Sequence, residues 1–339
     1  MRGMKRDMML RWSGMVCAFL MLVSLSSCEK IYDDLEACPH GVSLRFVYDY
    51  NMAYANAFPQ KVDCLTLYVY DSEDYYVATH VVTADSLLKD EGWRMQLELP
   101  EGSYHFVAYG GLACDESSFS LMQEPAVSSR FEDLRAGMDA DCLSSEDSCR
   151  RNLHGFYWGH LQLETADLYR EGTVKMMKNT NNIRIVLQDV NSEQPVYGED
   201  FTFSITDDNT LFGENNDLIA NGKVTYVPWA QGNTFIGMDN AGREVVGAYA
   251  ELSVSRLMTK NSPVLLIRSK ETGENVIDIP LLNYLMLYRS DLYAKMEMQE
   301  FLDRQSEWSM LFLLDSEKRW VQTYIKINDW TVRLNETAL

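Results

Sequence analysis

Trp93-Arg-Met-Gln-Leu-Glu-Leu99 alternates without a break. Trp93, Met95, Leu97 and Leu99 share one face, and Arg94, Gln96 and Glu98 take the other. A period of two is the side-chain repeat of a strand with one buried and one wet side. Glu91-Gly92 and Pro100-Glu-Gly102 bound the stretch with turn signals. Outward from it, Val42–Tyr50, Val62–Tyr70, Tyr75–Val82 and Tyr104–Tyr109 are rich in β-branched and aromatic residues and predict further strands. Strands this closely spaced, without helices between them, predict antiparallel sandwich packing.

The pattern continues to the end of the chain. A strand over Phe156–Glu164 is expected to finish a first sandwich, residues 38–165, and Thr165–Gly172 to link it to a second, residues 173–339. In the second unit Val174–Met177, Ile183–Leu187, Phe201–Ile205, Val224–Val227, Val246–Val254, Val264–Arg268 and Val276–Ile279 predict strands. So do Trp308–Leu314, Val321–Ile327 and Trp330–Leu334. One helix is expected within Leu281–Glu300, started by Pro280 and marked by a stripe of Leu282, Leu285, Met286, Tyr293 and Met296. Residues 115–150, rich in Ser, Asp and Glu, predict a long connection with at most a helical turn.

The N-terminus carries a different signal. Arg2, Lys5, Arg6 and Arg11 precede the apolar run Met15–Leu25, the order of a secretory signal peptide. The run has 11 residues, against about 20 needed to span a bilayer. Leu25-Ser-Ser-Cys28 then places small residues before a cysteine, which fits cleavage of residues 1–27 by a lipoprotein signal peptidase and lipidation of Cys28. Two or more acyl chains give stable anchoring. Residues 28–37 predict a tether, and the ten residues from Cys28 to Cys38 reach about 35 Å when extended.

Loss of residues 1–27 removes four basic side chains and one acidic one, moving the net charge from −20 to −23. Such a surface repels phosphate backbones, so nucleic acid is excluded as an expected partner. Five cysteines stay available for pairing: Cys38, Cys64, Cys114, Cys142 and Cys149. Export permits disulfides, and an odd count predicts at least one free thiol. Cys142 and Cys149 are spaced to close a small loop, Cys38 to reach Cys114 or that pair, and Cys64, in a strand-like run, is the expected free thiol.

No enzymatic motif is found: GxSxG, HExxH, GxxxxGK[ST] and GxGxxG are all missing from the sequence. His154 and His160 are six apart, which would put them on one face of a strand, yet no third ligand lies nearby. Asp207–Asp217 resembles a calcium loop but carries Leu211, Phe212 and Leu218 where an EF-hand needs a ligand, Gly and Glu. A polar hairpin is expected there. Neither a catalytic site, a cofactor nor a metal is expected.

Several phrases, in order, resemble one family. They are Cys38-Pro-His-Gly-Val-Ser-Leu-Arg-Phe-Val-Tyr-Asp-Tyr-Asn-Met52, Leu65-Thr-Leu-Tyr-Val-Tyr-Asp71 and Gly102-Ser-Tyr-His-Phe-Val-Ala-Tyr-Gly-Gly111. They continue with Lys178-Asn-Thr-Asn-Asn-Ile-Arg-Ile185, Ile205-Thr-Asp-Asp-Asn209, Gln299-Glu-Phe-Leu-Asp-Arg304 and Trp320-Val-Gln-Thr-Tyr-Ile-Lys-Ile-Asn-Asp-Trp330. Together they resemble the FimB-like fimbrial anchor subunits of Bacteroidales-type fimbriae. The resemblance implies an all-β chain of two transthyretin-like sandwiches and a non-catalytic role. Such a subunit is joined to the outer membrane through lipid on Cys28 and holds fimbrial stalk subunits by a sheet edge or a donated strand. The tail Thr331–Leu339 is expected either to be donated or to close its own sheet. A cell-surface glycan-binding lipoprotein is the alternative reading.

Overall fold

The computed structural model describes residues 40–112, 114–143, 148–165, 168–191, 193–239, 241–327 and 330–334. The first half supplies β1 (Gly41–Val47), β2 (Leu65–Tyr70), β3 (Tyr76–Val82), β4 (Met95–Glu98), β5 (Ser103–Gly110), β6 (Phe119–Leu121), β7 (Ala136–Met138), β8 (Ser148–Cys149), β9 (Tyr157–Glu164) and β10 (Tyr169–Lys178). The second half opens with β11 (Thr180–Asp189), β12 (Phe201–Asp207), β13 (Leu211–Phe212), β14 (Leu218–Ile219), β15 (Val224–Tyr226), β16 (Ala230–Met238) and β17 (Glu244–Ser255). It closes with β18 (Val264–Ser269), β19 (Asn275–Pro280), β20 (Glu307–Leu314), β21 (Trp320–Ile327) and β22 (Trp330–Leu334). The chain is thus all-β, as its alternation predicts.

Two large sheets dominate. The first has seven strands in the order β3-β2-β5-β9-β10-β1-β4, and the second has six in the order β16-β17-β11-β20-β21-β22. Most pairs are antiparallel, but β1 runs parallel to β10 and β11 parallel to β20. In the opening stretch Met95 and Leu97 are buried and Gln96 and Glu98 exposed, so the period-two reading holds residue by residue.

Three cores follow from these sheets. Val42, Leu44 and Phe46 of β1 meet Leu65, Leu67 and Val69 of β2 in the first. Ile183 and Ile185 of β11 and Leu252 of β17 meet Phe203, Leu265 and Ile267 from the five-stranded sheet β19-β18-β12-β15-β8 in the second. The third lies between the halves: Tyr68, Tyr109 and Phe156 pack against Phe119, Phe212, Leu218 and Met258. Phe156 stacks on Phe119 at 4.6 Å and on Tyr109 at 5.7 Å.

Three expectations change. The link predicted at 165–173 is not a sheet boundary, because β10 inserts between β9 and β1 and carries Val174 and Met176 into the first core. The sheets divide at Asn179 instead. Residues 115–150 are more than a connection: β7 pairs with β13 and β8 with β15, so this segment stitches the first half to the second. The helix expected over 281–300 is divided into a helix at Leu281–Leu285, single 3-10 turns at Met286–Tyr288 and Asp291–Tyr293, and a helix at Met298–Arg304. Pro280 starts the first as expected, but Leu282, Met286, Tyr293 and Met296 are only partly buried. The Arg289 guanidinium donates to the carbonyls of Tyr293 and Ala294, replacing helical hydrogen bonds at the break.

Candidate assembly interface

A sheet edge is a row of unpaired N–H and C=O groups, so each end of the two large sheets is a place where another chain can add a strand. Among the described residues these ends differ. The β3 edge of the first sheet is partly covered: Tyr76 N donates to Ser129 O, Phe131 N donates to Asp74 O, and Tyr75 bridges to Arg130. The β4 edge is only four residues long. At the far end of the six-stranded sheet, β22 pairs antiparallel with β21, setting Val332 opposite Ile325. The tail therefore closes its own sheet through Leu334, and residues 335–339 lie outside the described residues.

Among the described residues the outer edges of β22 and β16 carry no further strand, and β16, with nine residues against five, is the longer. The loop at Gly198–Phe201 hydrogen-bonds to its first residues, Gln231 and Asn233, which themselves stay exposed. Asn233 Oδ1 accepts from Gly198 N at 2.8 Å, and Gln231 Nε2 donates to the carbonyls of Gly198 and Phe201. Gly198 itself approaches so near that a Cβ there would lie 2.4 Å from Gly232 O. Beyond Asn233 these hydrogen bonds stop. Phe235 is 59% exposed and Met238 60%.

Register explains how two apolar side chains come to stand there together. Phe235 lies opposite Val246 and Met238 opposite Glu244, with Ile236 as the extra residue of a bulge between Phe235 and Gly237. Glu244 and Val246 share their face of β17 with Ala248, Ala250 and Leu252, which are core residues. Phe235 and Met238 thus point to the inner side of the sheet, where the β16–β17 hairpin overhangs the end of the second core. The bulge keeps both on that side; a regular strand would send them to opposite faces. Ile236 folds over Gly247, where an added Cβ would meet its Cδ1 at 2.3 Å and Leu187 O at 2.7 Å. Trp229, 43% exposed, stands just before the strand. Sequence reading missed β16 because Gly232, Asn233 and Gly237 dilute its strand propensity. The signal that could have found it is Thr234-Phe-Ile, one turn ahead of the strong strand at Val246–Val254.

The other predicted features go elsewhere. Cys28 and Cys38 lie outside the described residues. Cys64, the expected free thiol, is bonded to Cys114, because both stand at one end of the first sheet. Cys142 and Cys149 are both buried and unbonded instead of closing a loop, and burial pushes the Cys149 thiol up to about 11. His154 precedes β9 and reaches Asp63 Oδ1 at 3.0 Å, whereas His160, within β9, lies 4.4 Å from the His105 ring. The two are not a ligand pair. Burial, and then the neighbouring His105, hold His160 below the usual histidine range. The segment Asp207–Asp217 forms the β13–β14 hairpin, as expected of a polar loop. Asp207 is buried, and burial raises its carboxyl to about 6. Among the described residues no helix is long and apolar enough to cross a membrane.

Comparison with known proteins fits a structural role. The model of the fimbrillin-A associated anchor proteins Mfa1 and Mfa2 matches residues 35–336. A solved candidate adhesin from Bacteroides thetaiotaomicron is 59% identical, with a TM-score of 0.83 over 89% of this chain and 100% of that one. A solved candidate polysaccharide-binding protein from the same organism is 26% identical, with a TM-score of 0.75 over 89% and 100%. The minor fimbrium anchoring subunit Mfa2 of Porphyromonas gingivalis is 30% identical over 89 residues, 26% of this chain and 27% of that protein. Its solved structure shares the fold at 14% identity, with a TM-score of 0.63 over 87% of this chain and 99% of that one. A family match over nine-tenths of the sequence, on an all-β frame with an open strand edge, settles the assignment: the chain belongs to the fimbrillin-A associated anchor proteins, a family of structural fimbrial subunits.

Proposed function

We propose that this protein is the lipid-anchored subunit that fixes a fimbrial stalk to the outer membrane and supports its assembly and cell adhesion. In this reading residues 1–27 are a signal peptide, Cys28 carries the lipid, residues 28–37 are the tether, and two sandwich units stand above it. The observation that carries the reading is the overhanging β16–β17 hairpin. It offers backbone partners along one edge and two apolar side chains, Phe235 and Met238, on its uncovered inner face. A strand from a stalk subunit that covered both would gain roughly 3–6 kcal/mol from burial, and ladder hydrogen bonds would add to this. The anchor needs only one such edge, because its other end is held by lipid.

Two variants separate the parts. Cys28→Ala should leave the precursor uncut or release the mature protein from the membrane fraction; full membrane retention without lipid on the N-terminal peptide would refute the anchor. Phe235→Glu with Met238→Glu should leave the protein membrane-bound but reduce the number of fimbriae retained on cells. Unchanged retention would refute the edge. The similarity to a candidate polysaccharide-binding protein favours a glycan-binding surface as the second reading; saturable binding on a glycan array that Trp229→Ala abolishes would select it.

A further inference from the structure

β2, β5 and β9 are neighbours, and their register sets Leu65 beside Gly110 and Gly110 beside Tyr157. That row ends the sheet. Asp63 and Cys64 lie just before β2, Cys114 just after β5 and His154 just before β9, so three clustered side chains of ligand chemistry, with His154 against Asp63, are delivered to one end of the sheet. Gly111 makes this close approach possible: it has a φ of +84°, and a Cβ there would lie 2.0 Å from Gly155 O. His154 is held from behind, its backbone N–H donating to Ser118 Oγ at 3.0 Å.

The ligand atoms of Asp63, Cys64 and Cys114 lie within 4.8 Å of one another. His154 Nε2 is 3.0 Å from Asp63 Oδ1, and Cys114 Sγ is 3.1 Å from the same oxygen. A disulfide sulfur has no proton, so this last approach is not a hydrogen bond. It places a carboxylate oxygen where a cation held by the reduced sulfurs would meet it. A cavity of about 480 Å³ opens onto these four residues beside Thr83, Asp115 and Glu116, giving solvent and ions access. Sequence spacing hides the cluster, since it contains no CxxC and three separate segments build it.

We propose that the Cys64–Cys114 disulfide is the oxidised state of a metal site. Once reduced, this end of the sheet binds a zinc-like divalent cation through the Cys64 and Cys114 thiolates, the His154 imidazole and the Asp63 carboxylate. A dithiol reductant breaks the Sγ–Sγ bond by delivering two electrons and two protons and is itself oxidised to a disulfide. The incoming cation then displaces both thiol protons to solvent. Two thiolates, an imidazole and a carboxylate suit tetrahedral zinc, with metal–sulfur bonds near 2.3 Å. The two sulfurs must then separate to about 3.7 Å, which the loop carrying Cys114 can absorb because it lies outside any strand.

Cobalt(II) is the probe. The full chain, reduced with a non-chelating phosphine, should take up one cobalt per molecule at this site. It should show the thiolate-to-cobalt charge-transfer band and the intense visible bands of a tetrahedral complex; the oxidised chain should show neither. His154→Ala and Asp63→Asn leave the disulfide able to form, so folding can be checked in the oxidised state. Each should weaken cobalt binding more than about tenfold, the loss that even an outer-shell partner can cost. Cys64→Ser with Cys114→Ser should abolish the charge-transfer band. The proposal is overturned if the reduced protein gives no band, if the double serine variant keeps it, or if His154→Ala and Asp63→Asn bind cobalt like the parent.

Discussion

The polar network of the second half and the β16–β17 overhang treat backbone and side chains in opposite ways. In the network buried polar side chains are paired. Arg256 makes two 2.8 Å bonds to the Asp303 carboxylate and a third, through Nη1, to Asn216 O. Asn179 and Asn216 exchange amide bonds at 2.7 and 3.1 Å. Trp308 Nε1 donates to Asn181 Oδ1, and Gln299 Nε2 to Asp303 Oδ1. From the first half Tyr50 lies under the Arg304 guanidinium at 4.1 Å. At the overhang an edge is left open and two apolar side chains face water. Buried polar groups must be satisfied or they cost stability, so the network is rigidly specified. The overhang has no such demand on it, and its apolar inner face makes sense as a surface that a second chain completes.

This contrast can be broken by substitution. The largest effect should come from the network: Arg256→Ala or Asp303→Ala leaves a buried charge without its partner and should cost about 3–5 kcal/mol, read by urea denaturation. Replacing both by Met and Leu should recover much of that loss; equal loss in the double variant would contradict the pairing account.

The next effect depends on pH. Asp207 Oδ1 accepts from Asp208 N and Asn261 Nδ2, whereas Oδ2 has no hydrogen-bond partner among the described residues. Its folded carboxyl, raised to about 6 from 3.8, favours the protonated form. Its contribution to stability is therefore fully present below about pH 4 and lost as pH rises through about 6. Asp207→Asn should stabilise the protein by about 3 kcal/mol at pH 8 and by little at pH 4. Equal effects at both values would show that the carboxyl is not perturbed. Smaller again, Asn179→Ala should cost about 1–3 kcal/mol by leaving Asn216 unsatisfied. The smallest change in stability belongs to the overhang, where Phe235→Glu with Met238→Glu should shift unfolding by no more than about 0.5 kcal/mol.

The same contrast explains what was legible in the sequence. Strands with a buried face announce themselves by alternation, as at Trp93–Leu99. The phrases that resemble the anchor family supply paired groups of that polar network. Asn179 and Asn181 come from Lys178–Ile185, Gln299 and Asp303 from Gln299–Arg304, and Asn209, which bonds to Arg256 O and Tyr226 OH, from Ile205–Asn209. A polar residue that must meet a fixed partner leaves a recognisable phrase. β16 must only pair with β17 on one side, so Gly, Asn and Thr suffice and no pattern marks it. The Cys64–Cys114 bond was hidden for another reason: the sheet order β2-β5-β9 brings the two cysteines together, and spacing along the chain does not encode that order. The helix at 281–300 was misread because its stripe reflects partial burial around turns, not one continuous helical face.

A photo-crosslinking residue at Phe235 in fimbriated cells, with Val81 on the β3 edge as the control, tests whether the stalk docks on the overhang. Docking there predicts a crosslink from position 235 to a fimbrial stalk subunit and none from position 81. A crosslink to the stalk from position 81 alone, or from neither position in cells that retain their fimbriae, would contradict it.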